Sequence, residues 1–289
     1  MEILKTTVFG KYFFEVAMVL RSSLLLNSIL LNSEAWGYLT HKNIRSLEQI
    51  DEALLSRILE CDKNTSNTFK YLELGIYPIR FEIMKRSIVF LQYILKQEES
   101  SMIFQVLKAT LEHPTKNDFV KTCSGYLKIL DIQLSFKDMK EMSEWSFKKL
   151  VKDRTEKAAF NFLLKEKEKQ TKIAHVQYDR LEIQDYMISG ECSTKMSRII
   201  FKARSQTLDV KTQRKWKYND KACIGCKRKE ETGQEIMICE NLNNENRIAT
   251  HPINYGAFFD KNLTNMVKAA ILIDKALKRR QMILEIGIT

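Results

Sequence analysis

THKNIRSLEQIDEALLSRIL, residues 40–59, sets Ile44, Leu47, Ile50, Leu54, Leu55, Ile58 and Leu59 at intervals of three and four. That period is one face of an α-helix, and Thr40 supplies the side-chain oxygen that caps its first turn. Working back toward the amino terminus, residues 11–32 read as another helix. Its apolar positions, among them Phe13, Phe14, Ala17, Leu20, Leu24 and Leu30, spread too widely for a surface helix and predict a place in a core. Working forward, residues 62–68 read as a polar loop. Pro78 then fits the first turn of a helix that carries Phe81, Met84, Ile88, Leu91, Tyr93 and Leu95, and shorter helices are expected over 101–111 and 118–130.

The remainder follows the same pattern. Ser135 with Asp138 three positions on is a capping signal, after which charges interleave with Met139, Trp145, Phe147, Leu150, Phe160, Phe162 and Leu163 along two amphipathic helices. The charge run 165–169 reads as a solvated helix face, and Trp36 and Trp145 as core residues. Nine Gly and three Pro in 289 residues are too few for a turn-rich β domain, so the expected fold class is mainly α. With 44% hydrophobic residues the chain can bury one large core or two smaller ones. The change of character near Ser135 suggests regions 1–134, 135–222 and 223–289, the last ending in a C-terminal helix.

Charge is distributed unevenly. Of the net +11, ten units fall in residues 195–229, where twelve Lys/Arg face only Asp209 and Asp220. Such a concentration points to a polyanion, most naturally RNA or DNA. Lys211, Arg214, Lys215 and Lys217 are expected to neutralise phosphates, with Trp216 and Tyr218 placed between them to stack on unpaired bases. The bland alternative is that the two aromatics pack inside and the cations only solvate the surface. The same stretch runs into Cys223-Ile-Gly-Cys226, and Cys239 follows. Cys-x2-Cys holds two thiolates on one turn at the separation that tetrahedral Zn2+ needs.

Several blocks together resemble the region that follows the polymerase palm in LINE-type, non-LTR retrotransposon reverse transcriptases. They are Lys11-Tyr12-Phe13, Arg21, Leu31-Asn32-Ser33-Glu34-Ala35-Trp36, Leu47-Glu48-Gln49-Ile50-Asp51, Tyr71-Leu72-Glu73-Leu74-Gly75, Pro78-Ile79-Arg80 and Phe90-Leu91-Gln92-Tyr93-Ile94-Leu95. Phe201-Lys202-Ala203-Arg204 followed by the three cysteines is similar to the cysteine-rich C-terminal segment of the same polyproteins. The resemblance covers roughly residues 10 to 240. It implies a helical thumb-like domain over 1–134, a basic helical connector over 135–222, and a small zinc knuckle touching RNA or target DNA. Arg198, Lys202 and Arg204 then join the expected nucleic-acid-binding residues.

The family's knuckle continues from its second cysteine with eight residues, a histidine, three residues and a last cysteine. Here the histidine position is Glu235, while Cys239 is in place. The fourth zinc ligand is therefore Glu235, or His251 reaching back, or water; a knuckle that has lost its metal is the remaining alternative. Family polymerases also carry adjacent aspartates that hold Mg2+ for nucleotidyl transfer, and this chain has no Asp-Asp pair. No Mg2+ site and no autonomous catalysis are expected, and the polymerase palm becomes one conceivable partner.

Other function classes find less support. His41, His113 and His175 are widely separated, with no nucleophile arranged beside them. The opening residues lack a secretory pattern, and Glu15 and Arg21 argue against a membrane span over 12–31, so a nuclear or cytoplasmic protein is expected. Cys61, Cys123 and Cys192 then read as ordinary reduced thiols. The rival readings are a helical interaction module, with Phe13, Phe14 and 24–26 as an exposed patch for another protein chain, and a translated remnant without a role.

Overall fold

The computed structural model describes residues 12–36, 39–115, 118–213, 218–247, 249 and 253–286. Among these the chain is helical, with no named strand. In order come α1 (Phe13–Leu20), a wider π turn over Arg21–Leu26, α2 (Asn27–Ile29), α3 (His41–Ile58), α4 (Asn67–Glu73), α5 (Ile79–Leu95), α6 (Met102–Glu112) and α7 (Phe119–Ile129). Then follow α8 (Phe136–Glu141), α9 (Glu144–Glu168), α10 (Asp185–Ile188), α11 (Thr194–Arg204), α12 (Gly233–Ile238), α13 (Glu240–Arg247) and α14 (Leu263–Ile286). No helix among the described residues is long and apolar enough to cross a membrane.

Two compact units form. The first gathers Met1–Val19, Leu55–Leu74 and Lys167–Thr289; the second gathers Leu20–Leu54 and Gly75–Glu166. Ser135 thus lies inside the second unit rather than at a boundary, because Met139, Phe147 and Val151 share one apolar cluster with Phe81, Ile88 and Leu127. The Ser135–Asp138 capping box does form, Asp138 N–H donating to Ser135 Oγ at 3.2 Å and Ser135 N–H to Asp138 Oδ2 at 2.9 Å. It starts a helix without starting a domain.

The stretch read as one long helix is helical over Phe13–Ile29 but interrupted. The π turn shifts the facing of the residues that follow it, and Arg21 at its start is buried, donating to Asp51 at 2.6 and 2.7 Å. Val19, Leu24 and Leu31 are exposed, so this run is not enclosed on every side as its composition suggests. Helix α3 departs from its apolar stripe in an instructive way. Ile50 is exposed, while Glu48 and Asp51 are buried, each met by an arginine: Arg80 donates to Glu48 at 2.6 and 2.7 Å and Arg21 to Asp51. A buried carboxylate persists only when fully paired in this manner. Trp145, expected in a core, is 73% exposed, beneath the Lys149 ammonium 5.3 Å from its ring.

In the first unit, α11, α12 and α13 each pack on α14. Ala269, Ala270, Ile273 and Ala276 form the inner face of α14. Small side chains there let neighbouring helices approach closely. Helix α4 lies partly in the stretch read as a loop; Ser66 caps it, accepting from Phe69 N–H at 3.2 Å. Lys167, expected in solvent, is buried and its ammonium donates to Val176 O at 2.5 Å and Ala174 O at 3.1 Å, closing the turn after α9. Phe13 and Phe14 are buried, which removes them from the exposed patch of the interaction reading. Cys123 and Cys192 are buried and Cys61 half-buried, all unpaired thiols as expected.

Candidate metal centre

The cysteine loop is folded by its own backbone. Ala222 and Glu230 form an antiparallel bridge, Cys223 N–H donates to Lys229 O and Lys227 N–H to Cys223 O, both at 2.7 Å. This turn carries Cys223 and Cys226. Thr232 then caps α12, accepting from Glu235 N–H at 2.9 Å, so that Glu235 sits in the first turn and Cys239 just beyond the last. One short helix therefore delivers the other two donors.

Cys223, Cys226, Cys239 and Glu235 offer ligand atoms that all lie within 4.8 Å of one another. Cys223 Sγ is 3.7 Å from Cys239 Sγ, and Cys226 Sγ is 3.5 Å from Glu235 Oε1. A zinc–sulfur bond of about 2.3 Å gives a tetrahedron with edges of about 3.8 Å, slightly less where an oxygen replaces a sulfur. Two of the donor pairs are thus spaced as edges of such a tetrahedron, and the four donors together could hold a metal ion. The sequence leaves Glu235 and His251 as competing fourth ligands; the fold brings Glu235 into the cluster, and His251 lies outside the described residues.

Burial pushes the Cys223 thiol up to about 12, although the amides of Cys226 and Gly225 point at its sulfur. Burial would raise Cys226 too, but amide donors from Arg228 and Lys229 outweigh it and hold that thiol below its usual value. Amides converging on sulfur favour thiolates, the form that binds metal.

A second set of residues fixes the loop. The buried Glu231 carboxylate accepts from Lys211 N–H at 3.1 Å, Ile224 N–H at 3.1 Å and Arg280 Nε at 2.9 Å. It ties the loop to α14 through Arg280, whose guanidinium also lies 5.1 Å from the Tyr218 ring centre. Neither Glu231 nor Arg280 is marked by any motif. The signal available was the acidic pair Glu230-Glu231 directly after a basic run.

Gly225 lies where nothing larger fits. A Cβ there would stand 2.8 Å from Leu242 Cγ and 2.9 Å from Cys239 Sγ. Gly225→Ala is expected to cost about 1–3 kcal/mol by overpacking and to loosen Cys239. A melting-temperature measurement with and without zinc checks this, the variant losing most in the zinc-loaded form.

The expected nucleic-acid surface is broken up. Arg198 donates to Ile58 O at 3.1 and 3.0 Å, pairs with Glu60 at 2.7 Å and covers the Phe13 ring. Arg204 is buried on Glu73, and Lys211 is buried with its ammonium 2.6 Å from Asp220. Arg198 and Arg204 are claimed by carboxylates and carbonyls distant in sequence, and Lys211 by an aspartate nine positions on. Lys202 is half-buried, and so is Tyr218, whose hydroxyl donates to Asp209 at 3.2 Å. Arg214, Lys215, Trp216 and Lys217 lie outside the described residues. The exposed cations of the loop are instead Lys221, Lys227, Arg228 and Lys229. Arg228 contacts Glu240, and Lys229 lies 3.7 Å from Glu235.

Comparison with known protein families, with curated proteins and with solved structures finds no match for this chain.

Proposed function

We propose that this chain is a nucleic-acid-binding module, derived from the C-terminal part of a LINE-type reverse transcriptase, in which a zinc ion staples the basic end. The observation that carries the reading is the four-donor cluster of Cys223, Cys226, Glu235 and Cys239, which begins inside the most basic region of the sequence and closes just beyond it. Zinc would supply folding energy here rather than chemistry, since four protein donors leave no position open for a substrate. Its partners are RNA and DNA. Polymerase activity is not part of the proposal, because the adjacent aspartates that hold the two metals of nucleotidyl transfer are missing.

The test is fluorescence anisotropy with labelled RNA and DNA oligonucleotides over a range of salt, on protein purified without a histidine tag and assayed for metal. Binding whose log K falls steeply with log salt is expected, together with close to one zinc per chain. A flat salt dependence, or no binding, overturns the reading.

One observation favours the rival interaction module. Met102 and Val106 stand 84% and 60% exposed on one side of α6 in the second unit. Light scattering separates the two: a salt-insensitive oligomer without affinity for oligonucleotides belongs to that module.

A further inference from the structure

A zinc-loaded cluster holds three thiolates and one carboxylate against two positive charges, so its centre is anionic. Lys229 and the amides around Cys226 first serve to balance it. With Arg198, Arg204 and Lys211 turned inward, a phosphate backbone needs cations elsewhere, and α14 supplies them. We propose that the outer face of α14 is the track on which this chain holds the phosphate backbone of a nucleic-acid duplex. This rests on the nucleic-acid reading above and says where and how the contact is made.

At 3.6 residues per turn, Lys268, Ile271, Lys275, Lys278, Arg279, Met282 and Ile286 fall within an arc of about 100°. All seven are exposed. The opposite arc carries Ala269, Ala270, Ile273, Ala276 and Arg280, all buried. The ridge is about 27 Å long, at 1.5 Å per residue. Of the two acidic residues in α14, Asp274 is met by cations and Glu285 only by a neutral amide. Asp274 is only 14% exposed and is shared by Lys195 of α11 at 2.5 Å and Lys278 at 3.0 Å. Glu285 accepts from Gln281 at 2.8 Å. One shielded carboxylate between two ammonium groups leaves a positive excess, which a phosphate oxygen would complete. Arg279 is anchored by donating to Leu242 O at 3.2 Å, and Arg280 by Glu231, so the ridge is presented by a helix fixed from behind.

The side chains on the ridge choose the partner. No Phe, Tyr or Trp occurs anywhere in α14, so nothing there stacks on splayed bases, as proteins that hold single strands do. Cations along a straight helix without a base-reading aromatic match a regular backbone. A membrane surface fits less well, because a helix lying in lipid sinks a broad apolar face into the bilayer. In α14 that face is already covered by protein, and only Ile271, Met282 and Ile286 interrupt the outward cations.

The decisive experiment compares the full chain with the triple variant Lys268→Gln, Lys275→Gln, Lys278→Gln and with the matching Lys→Arg triple. Each is titrated against a labelled 20-base-pair duplex, the single strand of the same sequence, and vesicles of phosphatidylserine and phosphatidylcholine. The Gln triple is expected to lower the slope of log K against log salt on the duplex by about 2.7, at about 0.9 per phosphate contact. The Arg triple should keep it, and a circular dichroism spectrum and melting temperature of the Gln triple matching the parent chain show that its helix still folds. Unchanged duplex binding and slope in the Gln triple overturns the track while leaving nucleic-acid binding standing. Equal or tighter binding to the single strand overturns the duplex assignment, and ridge-dependent binding to vesicles alone overturns the choice of partner. Failure of the unmodified chain to bind any nucleic acid removes both readings.

Discussion

Glu73→Ala is expected to destabilise the chain by about 3–5 kcal/mol, the usual cost of leaving a buried charge without its partner. Glu73 is fully buried at the end of α4. Its carboxylate accepts from Arg204 Nε at 3.1 Å and Nη2 at 3.0 Å, and from the hydroxyls of Tyr178 and Tyr186. Arg204 donates its remaining terminal nitrogen to Phe258 O at 2.8 Å. Burial alone would lower the Arg204 pKa, yet the Glu73 charge and the two phenols raise it beyond its ordinary value. Both phenols are pushed well up, chiefly by burial and then by the same carboxylate.

Removing Glu73 therefore strands a guanidinium and two hydroxyls at once in a low-dielectric interior. A domain is stable by only about 5–15 kcal/mol, so the loss consumes a large share. Urea unfolding followed by circular dichroism measures it. Arg204→Lys should cost less but still substantially, since an ammonium cannot reproduce the fork on Glu73 and the bond to Phe258 O together. A midpoint for Glu73→Ala within error of the parent chain would mean that water reaches the network and that it does not organise α4, α10 and α11.

That network also marks the limit of what the amino-acid order conveys. Helix positions were legible because their signals are local: apolar spacing in α3 and α5, and side-chain caps at Thr40 and Ser135, which accept from the amides of Asn43 and Asp138. The ionic interior was not legible. Arg204 and Glu73 are 131 positions apart, and a charged residue at any helical position reads as a solvent-facing one until its partner is known. For the same reason Lys167 passed for surface, Glu48 and Asp51 interrupted an apparently apolar stripe, and a count of cations over 195–229 could not tell phosphate-binding groups from inward ones.

The metal cluster was partly legible. Cys-x2-Cys is a local geometric statement, and the spacing of the resembled family pointed at position 235. What could not be read was the support beneath it. Glu231 and Arg280 lie 49 positions apart and carry no motif, yet they fix the cysteine loop to α14. Trp145 shows the converse, a residue type usually buried that the helix simply places outward.

Cys239→Ser is expected to abolish tight zinc binding and to unfold the C-terminal end of the first unit at temperatures where the metal-loaded parent is intact. Cys239 is buried, lies 3.7 Å from Cys223 Sγ, and stands at the end of the helix that also presents Glu235. Losing it deletes one strong ligand and breaks the link between the loop and α12. Structural zinc in small knuckle-like folds contributes roughly 10–16 kcal/mol of apparent binding energy at neutral pH, much of it recovered as folding energy. A chelator should therefore lower the melting temperature of the parent and hardly move that of Cys239→Ser. Glu235→Ala separates the ligand question from the folding question. With water taking the fourth position, zinc should still bind, but more weakly, and Glu235→His should restore or exceed the parent affinity because imidazole suits zinc better than a single carboxylate oxygen. Competition with a chromophoric chelator reads these proteins and His251→Ala on one scale. Full zinc in Cys239→Ser would sink the cluster as a site. Unchanged affinity in Glu235→Ala with loss in His251→Ala would move the fourth ligand to the histidine and leave Glu235 as a partner of Cys226 and Lys229.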